Sequence, residues 1–267
     1  MLAIPLYDDT PRTGIPVVTY GLIGVCTAVF LWQAGLTPRA AQNASLSFGM
    51  IPAVLFGEGE LPRQLRAIPA WLTLFTSMFL HGGLLHLVGN MLYLWIFGKG
   101  VEDALGPARF LLLYFASGIA AALTQAFADP TSSVPMIGAS GAIAGILGAY
   151  LLLYPRSNVV VFIWIIILVR LVSVPAPVLL GLWFLLQLMS AASSAPGEPG
   201  VAFWAHIGGF VIGMFLLALL RPRRTVLFQP SRSASFRVGR PRDAMQGFGR
   251  GSVPPVSRKR GGLGPWG

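Results

Sequence analysis

Apolar segments long enough to cross a lipid bilayer recur along this chain, and they constrain its fold more than any other feature. The segment Val17–Leu36 holds no charged residue over twenty positions, and Phe110–Phe127 and Val201–Leu220 are similar. A helix of about 20 apolar residues covers the roughly 30 Å hydrocarbon core of a membrane. With 55% hydrophobic and only 10% charged residues, a soluble all-helical core is the weaker alternative. The sequence therefore predicts an all-α polytopic membrane protein.

Six segments are predicted to form a six-transmembrane-helix bundle. They are residues 17–36, 73–97, 110–127, 140–153, 177–190 and 201–220. The fourth is short, since fourteen residues rise only about 21 Å as a helix. One further apolar stretch, Val159–Val174, is interrupted by Arg170 and followed by Pro175. We interpret this stretch as an interfacial or broken segment that feeds the fifth span, because a seventh complete span would invert the last helix.

The net charge of +10 is concentrated after the last span, where eleven Lys/Arg and one Asp follow from Arg221 onward. This segment holds too few large apolar residues to fold alone. We predict three regions: a cytoplasmic lead-in at 1–16, a membrane domain at 17–220, and a disordered, basic cytoplasmic tail at 221–267. The positive-inside tendency places both termini in the cytoplasm, and we expect the membrane to be the inner (plasma) membrane of a bacterium. The tail is expected at most to contact anionic lipid, and nucleic acid is not expected as a partner.

One serine stands among small residues at the start of an apolar segment, and all three histidines of the chain lie in apolar segments. Ser140 stands in Ile137-Gly138-Ala139-Ser140-Gly141-Ala142, and the histidines are His81, His86 and His206. At about 1.5 Å per residue, Ser140, His86 and His206 lie roughly 20–24 Å from the basic residues that follow their helices. They therefore share one layer of the membrane. A hydroxyl and an imidazole in that layer suggest nucleophilic catalysis, since ionisable groups inside a membrane are costly and usually functional.

Small residues predict that the fourth and last spans pack closely. They recur every four positions, at Gly141 and Gly145 in one span and at Ala205, Gly209 and Gly213 in the other. This spacing lets two helix backbones approach each other. Ser140 and His206 each adjoin such a stripe, so helix contact would bring them together as a Ser–His dyad. The alternative is that the small residues serve packing alone, with no chemistry.

His86 and Asn90 are four residues apart in sequence and so share a helix face. Both side chains can donate a hydrogen bond, which an oxyanion needs as a carbonyl is attacked. We expect them to form an oxyanion hole with the backbone N–H of Ser140. His81 lies about 140° round the helix from His86, and we expect it to tether a loop. That separation also argues against a metal site, and no cofactor is expected.

Together these residues resemble the motifs of the rhomboid family of intramembrane serine proteases over about residues 73–220. The matching motifs are Gly138-Ala139-Ser140-Gly141, Ala205-His206-x-Gly208-Gly209 and His81-x-x-x-x-His86-x-x-x-Asn90. The resemblance implies that Ser140 is the nucleophile and His206 the general base. It also implies that His86 and Asn90 are the oxyanion donors. Structural roles near the site are implied for His81, Gly138, Gly141 and Gly209, and Glu102 is implied to be a structural acid.

The resemblance implies a serine-type endopeptidase that cleaves transmembrane segments of membrane proteins, without metal or cofactor. The rival is a rhomboid-like pseudoprotease that binds or escorts membrane clients without cleaving them. Such proteins typically lack the serine or the histidine, whereas this chain keeps both. A small-solute transporter, in contrast, would place ionisable residues across both leaflets.

Two positions depart from the family pattern. Leu72 and Thr73 stand where the family often carries Trp-Arg, so the first loop must be supported differently. Ala144 stands four residues after the serine, where an aromatic ring often stacks on the catalytic histidine. We expect Phe203 or Trp204 to substitute for that ring.

Overall fold

A computed structural model describes residues 2–10, 14–165, 167–193, 202–230 and 232–239, and this part of the chain is mostly helical. The helices are α1 (Val17–Ala34), α2 (Pro38–Phe48), α3 (Pro52–Phe56), α4 (Thr73–Thr76), α5 (Leu84–Tyr93), α6 (Lys99–Leu105), α7 (Pro107–Ala128), α8 (Ser140–Leu153), α9 (Ala176–Ser193) and α10 (Phe203–Leu220). The strands are β1 (Leu2–Asp8), β2 (Asn158–Ile165), β3 (Leu168–Pro175) and β4 (Val238–Gly239). Single 3₁₀ turns occur at Arg63–Leu65, Ala70–Leu72 and Ser77–Phe79.

The predicted polytopic helical fold is confirmed, with six apolar helical segments in the described part of the chain. Five are long and apolar enough to cross a membrane: Val17–Ala34, Leu84–Leu105, Pro107–Ala128, Ala176–Ser193 and Phe203–Leu220. The sixth, α8, has 14 residues and rises only about 21 Å. The count of six spans is therefore approximate, and the molecule is an integral, multi-pass membrane protein.

Helix α8 forms the centre of the bundle and packs against both α7 and α10, which also pack against each other. Its residues from Gly141 to Tyr150 are all buried, as expected of a helix that is apolar on every side. The predicted close packing of α8 on α10 is confirmed. A Cβ atom added at Gly209 or Gly213 would collide with the carbonyl oxygen of Gly141 or Gly145, respectively. Only glycine allows the two backbones to approach this closely.

Helix α9 lies at the edge of the bundle and is loosely packed. Its buried residues are Ala176, Leu180 and Ala191. Large apolar side chains such as Leu182 and Met189 are exposed. This outward apolar surface suits contact with lipid tails.

The second span differs from its predicted limits of 73 and 97 at both ends. The backbone is extended at Leu80 and at Gly83, so the continuous helix begins only at Leu84. Glycine loses the most conformational freedom in a helix, which favours a break at the Gly82-Gly83 pair. At the other end the helix continues through a π-helical turn at Leu94–Gly98 into α6. A Cβ added at Gly98 would lie 3.3 Å from Thr19 of α1, so this glycine serves helix packing and does not stop the helix.

The stretch Val159–Val174 is a β-hairpin. Strands β2 and β3 pair antiparallel from Asn158↔Pro175 to Ile165↔Leu168, and the sheet order is β1-β2-β3-β4. The β-branched Val and Ile residues of this stretch fit a pleated, half-buried surface. As expected, the stretch is not a complete helical span, but it is an ordered hairpin where a broken or interfacial segment was expected.

The folded part of the chain extends beyond the predicted limits of 17 and 220. Residues 2–8, predicted as a lead-in, form β1 and pair with β2. After α10, the N–H groups of Phe228 and Gln229 donate to the carbonyls of Leu152 and Leu153 at 3.0 and 2.9 Å. The first part of the predicted tail is therefore packed on the bundle by backbone pairing, which composition does not report. The remainder of the predicted disordered tail, residues 240–267, lies outside the described residues.

Candidate active site

Ser140 and His206 are in direct contact. Ser140 is the first residue of α8, and His206 lies in the first turn of α10. The Nε2 atom of His206 is 2.8 Å from the Oγ atom of Ser140. The glycine-lined contact between the two helices holds both residues at this distance, because it fixes how closely the backbones approach. An imidazole at hydrogen-bond distance from a hydroxyl can take its proton.

Two side chains of α9, one helical turn apart, contact the imidazole from its other side. The Nδ1 atom of His206 is 2.7 Å from Oε1 of Gln187. The ring of Trp183 lies 5.8 Å from the imidazole, centroid to centroid. Trp183 therefore packs against the histidine where Phe203 or Trp204 was expected. Those two residues instead line the cavity beside the dyad.

His86 and Asn90 converge on the backbone immediately before the serine. A Cβ atom added at Gly138 would lie 2.7 Å from the His86 ring and 3.5 Å from Nδ2 of Asn90. The N–H of Gly82 lies 3.4 Å from Nδ1 of His86, which leaves Nε2 of that ring to carry the donor proton. Among the described residues, the buried Nδ2 of Asn90 has no hydrogen-bond partner. Two donors are thus available beside Gly138, two residues before Ser140.

His81 lies apart from the dyad and fastens the loop before α5. Its backbone N–H donates to Oε1 of Gln33 at 3.0 Å, and its Nδ1 is 3.2 Å from the carbonyl oxygen of Phe79. These contacts are those of a loop tether.

The first loop, which connects α1 to α5, packs against the bundle without the Trp-Arg pair, since Leu72 and Thr73 stand at those positions. The backbone of Met50 forms an isolated β-bridge with Met136. The buried side chain of Met50 packs with Ala122 and Ala126 of α7. The ring of Phe56 lies 5.2 Å from that of Phe127. Apolar packing and one short bridge therefore fix this loop beside the serine.

A cavity of about 830 Å³ opens beside the dyad. Its lining includes Ser140, His206, His86, Asn90 and Gln125. The buried Oε1 of Gln125 has no hydrogen-bond partner within the described residues. A cavity of this size and polarity can hold water and an extended peptide segment. Non-helical backbone at membrane depth requires such a water-filled cavity, because it cannot face lipid.

No group of three or more His, Cys, Asp or Glu side chains that could hold a metal ion occurs within the described residues. The polar side chains that adjoin Ser140 and His206 are those of Gln187, His86 and Asn90.

Sequence reasoning missed Gln187 and Trp183, although one of them carried a signal. Gln187 is the only amide, hydroxyl or charged side chain between Pro177 and Met189. A lone polar side chain inside an apolar span is expensive unless it is paired. That pattern marks Gln187 as a functional candidate, but it does not indicate its partner.

The chain is similar to known rhomboid proteins over most of its length. A family model described as Rhomboid domain matches residues 69–223, more than half of the chain. Rhomboid protease GluP of Bacillus subtilis is 31% identical over 209 residues, covering 78% of this chain and 36% of that protein. The mitochondrial Rhomboid protein 1 of Saccharomyces cerevisiae is 29% identical over 205 residues, covering 74% and 51%. RHOMBOID-like protein 5 of Arabidopsis thaliana is 33% identical over 174 residues, covering 62% and 50%. The chain thus spans about half, or less, of the length of these relatives.

Proposed function

Because the chain belongs to the rhomboid family, we propose that it is an intramembrane serine endopeptidase that cleaves transmembrane segments of membrane proteins. Ser140 is the nucleophile and His206 the general base. The single observation that carries this proposal is the 2.8 Å distance between Nε2 of His206 and Oγ of Ser140. The cavity beside this pair gives the reaction both water and room for substrate.

In the first step Oγ of Ser140 attacks the scissile carbonyl while Nε2 of His206 takes its proton. His86, Asn90 and the backbone N–H of Ser140 donate to the oxyanion that forms. Ser140 is the first helical residue of α8, so its N–H has no partner inside the helix. Three neutral donors directed at the developing oxyanion favour the tetrahedral intermediate over the planar carbonyl.

In the second step the imidazolium of His206 protonates the leaving amine, and the acyl group remains on Ser140. A water molecule from the cavity then loses a proton to His206 and attacks the acyl-enzyme. Collapse of the second intermediate releases the carboxylate product and returns the hydroxyl proton to Ser140. No metal or organic cofactor takes part.

We also propose that both ends of the chain face the cytoplasm, in the inner (plasma) membrane of a bacterium. The basic residues after α10 support this orientation through the positive-inside tendency, and contact between this basic segment and anionic lipid would reinforce it. Reporter fusions after residue 36 and after residue 220 are the test. The proposed orientation requires the reporter after residue 36 to lie outside the cytoplasm and the reporter after residue 220 to lie inside it.

The test of the function is cleavage of a reconstituted transmembrane reporter by the purified protein. Ser140→Ala and His206→Ala are each expected to lower cleavage by at least about 10³-fold, as loss of a nucleophile or its base does in serine proteases. Ser45→Ala is the matched control, because its hydroxyl donates within α2 to the carbonyl of Ala41, and it should cleave like the parent. Cleavage that persists in either dyad variant removes that residue from the mechanism. Client binding without cleavage by the parent would favour the pseudoprotease.

A further inference from the structure

We infer that Gln187 of α9 is a positioning residue that fixes the tautomer and orientation of His206. Its catalytic meaning rests on the proposed function above, but its effect on the imidazole does not. The observation is the 2.7 Å contact between Oε1 of Gln187 and Nδ1 of His206. It extends the predicted Ser140–His206 dyad to a hydrogen-bonded chain of three side chains on three helices.

The chemistry of the two groups decides which ring nitrogen carries the proton. An amide oxygen can only accept a hydrogen bond, so Nδ1 of His206 must donate to Oε1 of Gln187. A neutral imidazole has one N–H, and Nε2 is then left with its lone pair toward Oγ of Ser140. This is the tautomer that a general base needs. The opposite tautomer would present N–H to the serine and could not take its proton.

The surroundings of Gln187 support a specific pairing. The helix around it is apolar and largely faces outward, so an unpaired amide there would be unfavourable. Trp183, one turn earlier on the same helix, packs against the same imidazole. Both contacts come from α9, so they depend on how this loosely packed helix sits against α10. Together these two contacts fix the orientation of the imidazole ring, with Nε2 toward Ser140.

The partner of His206 differs from the carboxylate used in a Ser–His–Asp triad. A neutral amide fixes the proton on Nδ1 but adds no negative charge to stabilise the imidazolium. Loss of the hydrogen-bond partner of a metal-ligating histidine typically lowers metal affinity or activity about 10–100-fold, and we expect a similar range for a partner that only orients a catalytic imidazole. We expect Gln187→Leu, which keeps the approximate size of the side chain and removes the acceptor, to lower kcat by this amount with little change in KM.

The test uses ¹⁵N-histidine NMR of the full chain in lipid nanodiscs, near neutral pH. The chain has three histidines, so His206→Ala identifies the His206 signals by their loss. The parent should show Nδ1 of His206 protonated. Gln187→Leu should shift the ring toward a mixture of tautomers, while Gln187→Glu, which keeps an acceptor at this position, should retain the Nδ1 proton. Leu186→Ala, at an exposed position of α9, should leave the spectrum and the cleavage rate unchanged.

The two proposals fail in different ways. A parent ring protonated at Nε2 overturns the role of Gln187, and so does an unchanged tautomer and kcat in Gln187→Leu. A parent that cleaves no reporter counts against the protease proposal alone, because the NMR signals still decide whether Gln187 sets the tautomer.

Discussion

At the scale of single residues, Gly138 shows how one backbone conformation controls the candidate site. Its φ angle is +121°, in a region that residues with a Cβ rarely adopt. Its N–H donates to the carbonyl of Ser77 at 2.8 Å, which ties the serine loop to the turn before α5. The absence of a Cβ also leaves room for the ring of His86. Backbone strain and crowding therefore both require glycine here.

Gly138→Ala should abolish most of the cleavage activity while the protein still folds. The added methyl group would lie 2.7 Å from the His86 ring, and the strained backbone costs about 1–3 kcal/mol. A shift of about 1 Å in a catalytic group can lower a rate about 100-fold. Reporter cleavage and thermal unfolding are to be measured together. Gly83→Ala is the control, since no atom lies within 4 Å of a Cβ there. Wild-type activity in Gly138→Ala would refute this account of the loop.

The sequence predicts the candidate site residues that stand in recognisable motifs. It does not predict those that come near the site only through the placement of the helices. Ser140, His206, His86 and Asn90 stand in short patterns whose chemistry can be read directly. Gln187 reaches His206 only through the rotation and tilt of α9, which apolar composition does not specify. For the same reason the sequence predicts Phe203 or Trp204 as the ring beside His206, whereas the structure has Trp183 of α9 there.

At the scale of elements, the contact between α8 and α10 sets the distance within the dyad. Gly209 meets the carbonyl oxygen of Gly141 so closely that no side chain fits between them. Ser140 precedes Gly141 by one residue, and His206 lies one turn before Gly209. Any increase in helix separation at this point is therefore transmitted to the Ser140–His206 distance.

Gly209→Ala should separate α8 from α10 and reduce cleavage strongly. Forcing an extra methyl group into a packed interior typically costs about 1–3 kcal/mol, so the unfolding temperature should fall as well. Gly24→Ala on α1 is the matched control, because nothing lies within 4 Å of a Cβ at that position. Equal cleavage by the two variants would show that the helix contact does not set the geometry of the dyad.

Glu102 of α6 fastens the start of α1, in agreement with the structural role that the resemblance implies. Its carboxylate accepts from the N–H of Val18 at 2.9 Å, and from the N–H and hydroxyl of Thr19 at 2.7 and 2.6 Å. A negative charge at a helix N-terminus is favourable both as a cap and toward the helix dipole. This contact joins the first helix to the rest of the bundle.

Glu102→Ala should lower the stability of the protein by about 2–4 kcal/mol, because buried donors at the start of α1 lose a charged acceptor. Thermal unfolding in detergent is the measurement. Glu60→Ala is the control: its ion pair with Arg66 is solvent-exposed, and such pairs contribute little. A melting temperature unchanged by Glu102→Ala would exclude this anchoring role.

At the scale of the whole molecule, the sheet joins segments that are far apart in sequence. The carboxylate of Asp9 accepts from the N–H of Asn158 at 2.8 Å. It also accepts from the N–H and hydroxyl of Ser233 at 3.0 and 2.6 Å. These contacts lie at the end of α8 opposite Ser140. Hydropathy predicted the bundle from runs of apolar residues, but it carries no signal for strand pairing between such distant segments.

Asp9→Ala should loosen the segment after α10 and leave reporter cleavage nearly unchanged. The loss of hydrogen bonds to a charged acceptor weakens the link by about 1.5–3 kcal/mol. Hydrogen exchange at residues 228–230 and 232–239 should become faster, whereas Glu58→Ala, at an exposed position, should not alter it. Exchange that stays at the parent rate would mean that other contacts hold this segment.

The measurement that tests the central claim most directly is covalent labelling by a fluorophosphonate, with the modified residue located by mass spectrometry. The reagent reacts with a serine only when a base activates its hydroxyl. The account predicts one adduct per chain, on Ser140, and labelling that is lost in Ser140→Ala and at least about 10³-fold slower in His206→Ala. An adduct on another residue, or equal labelling rates with and without His206, would contradict the assignment of Ser140 and His206 as the catalytic pair.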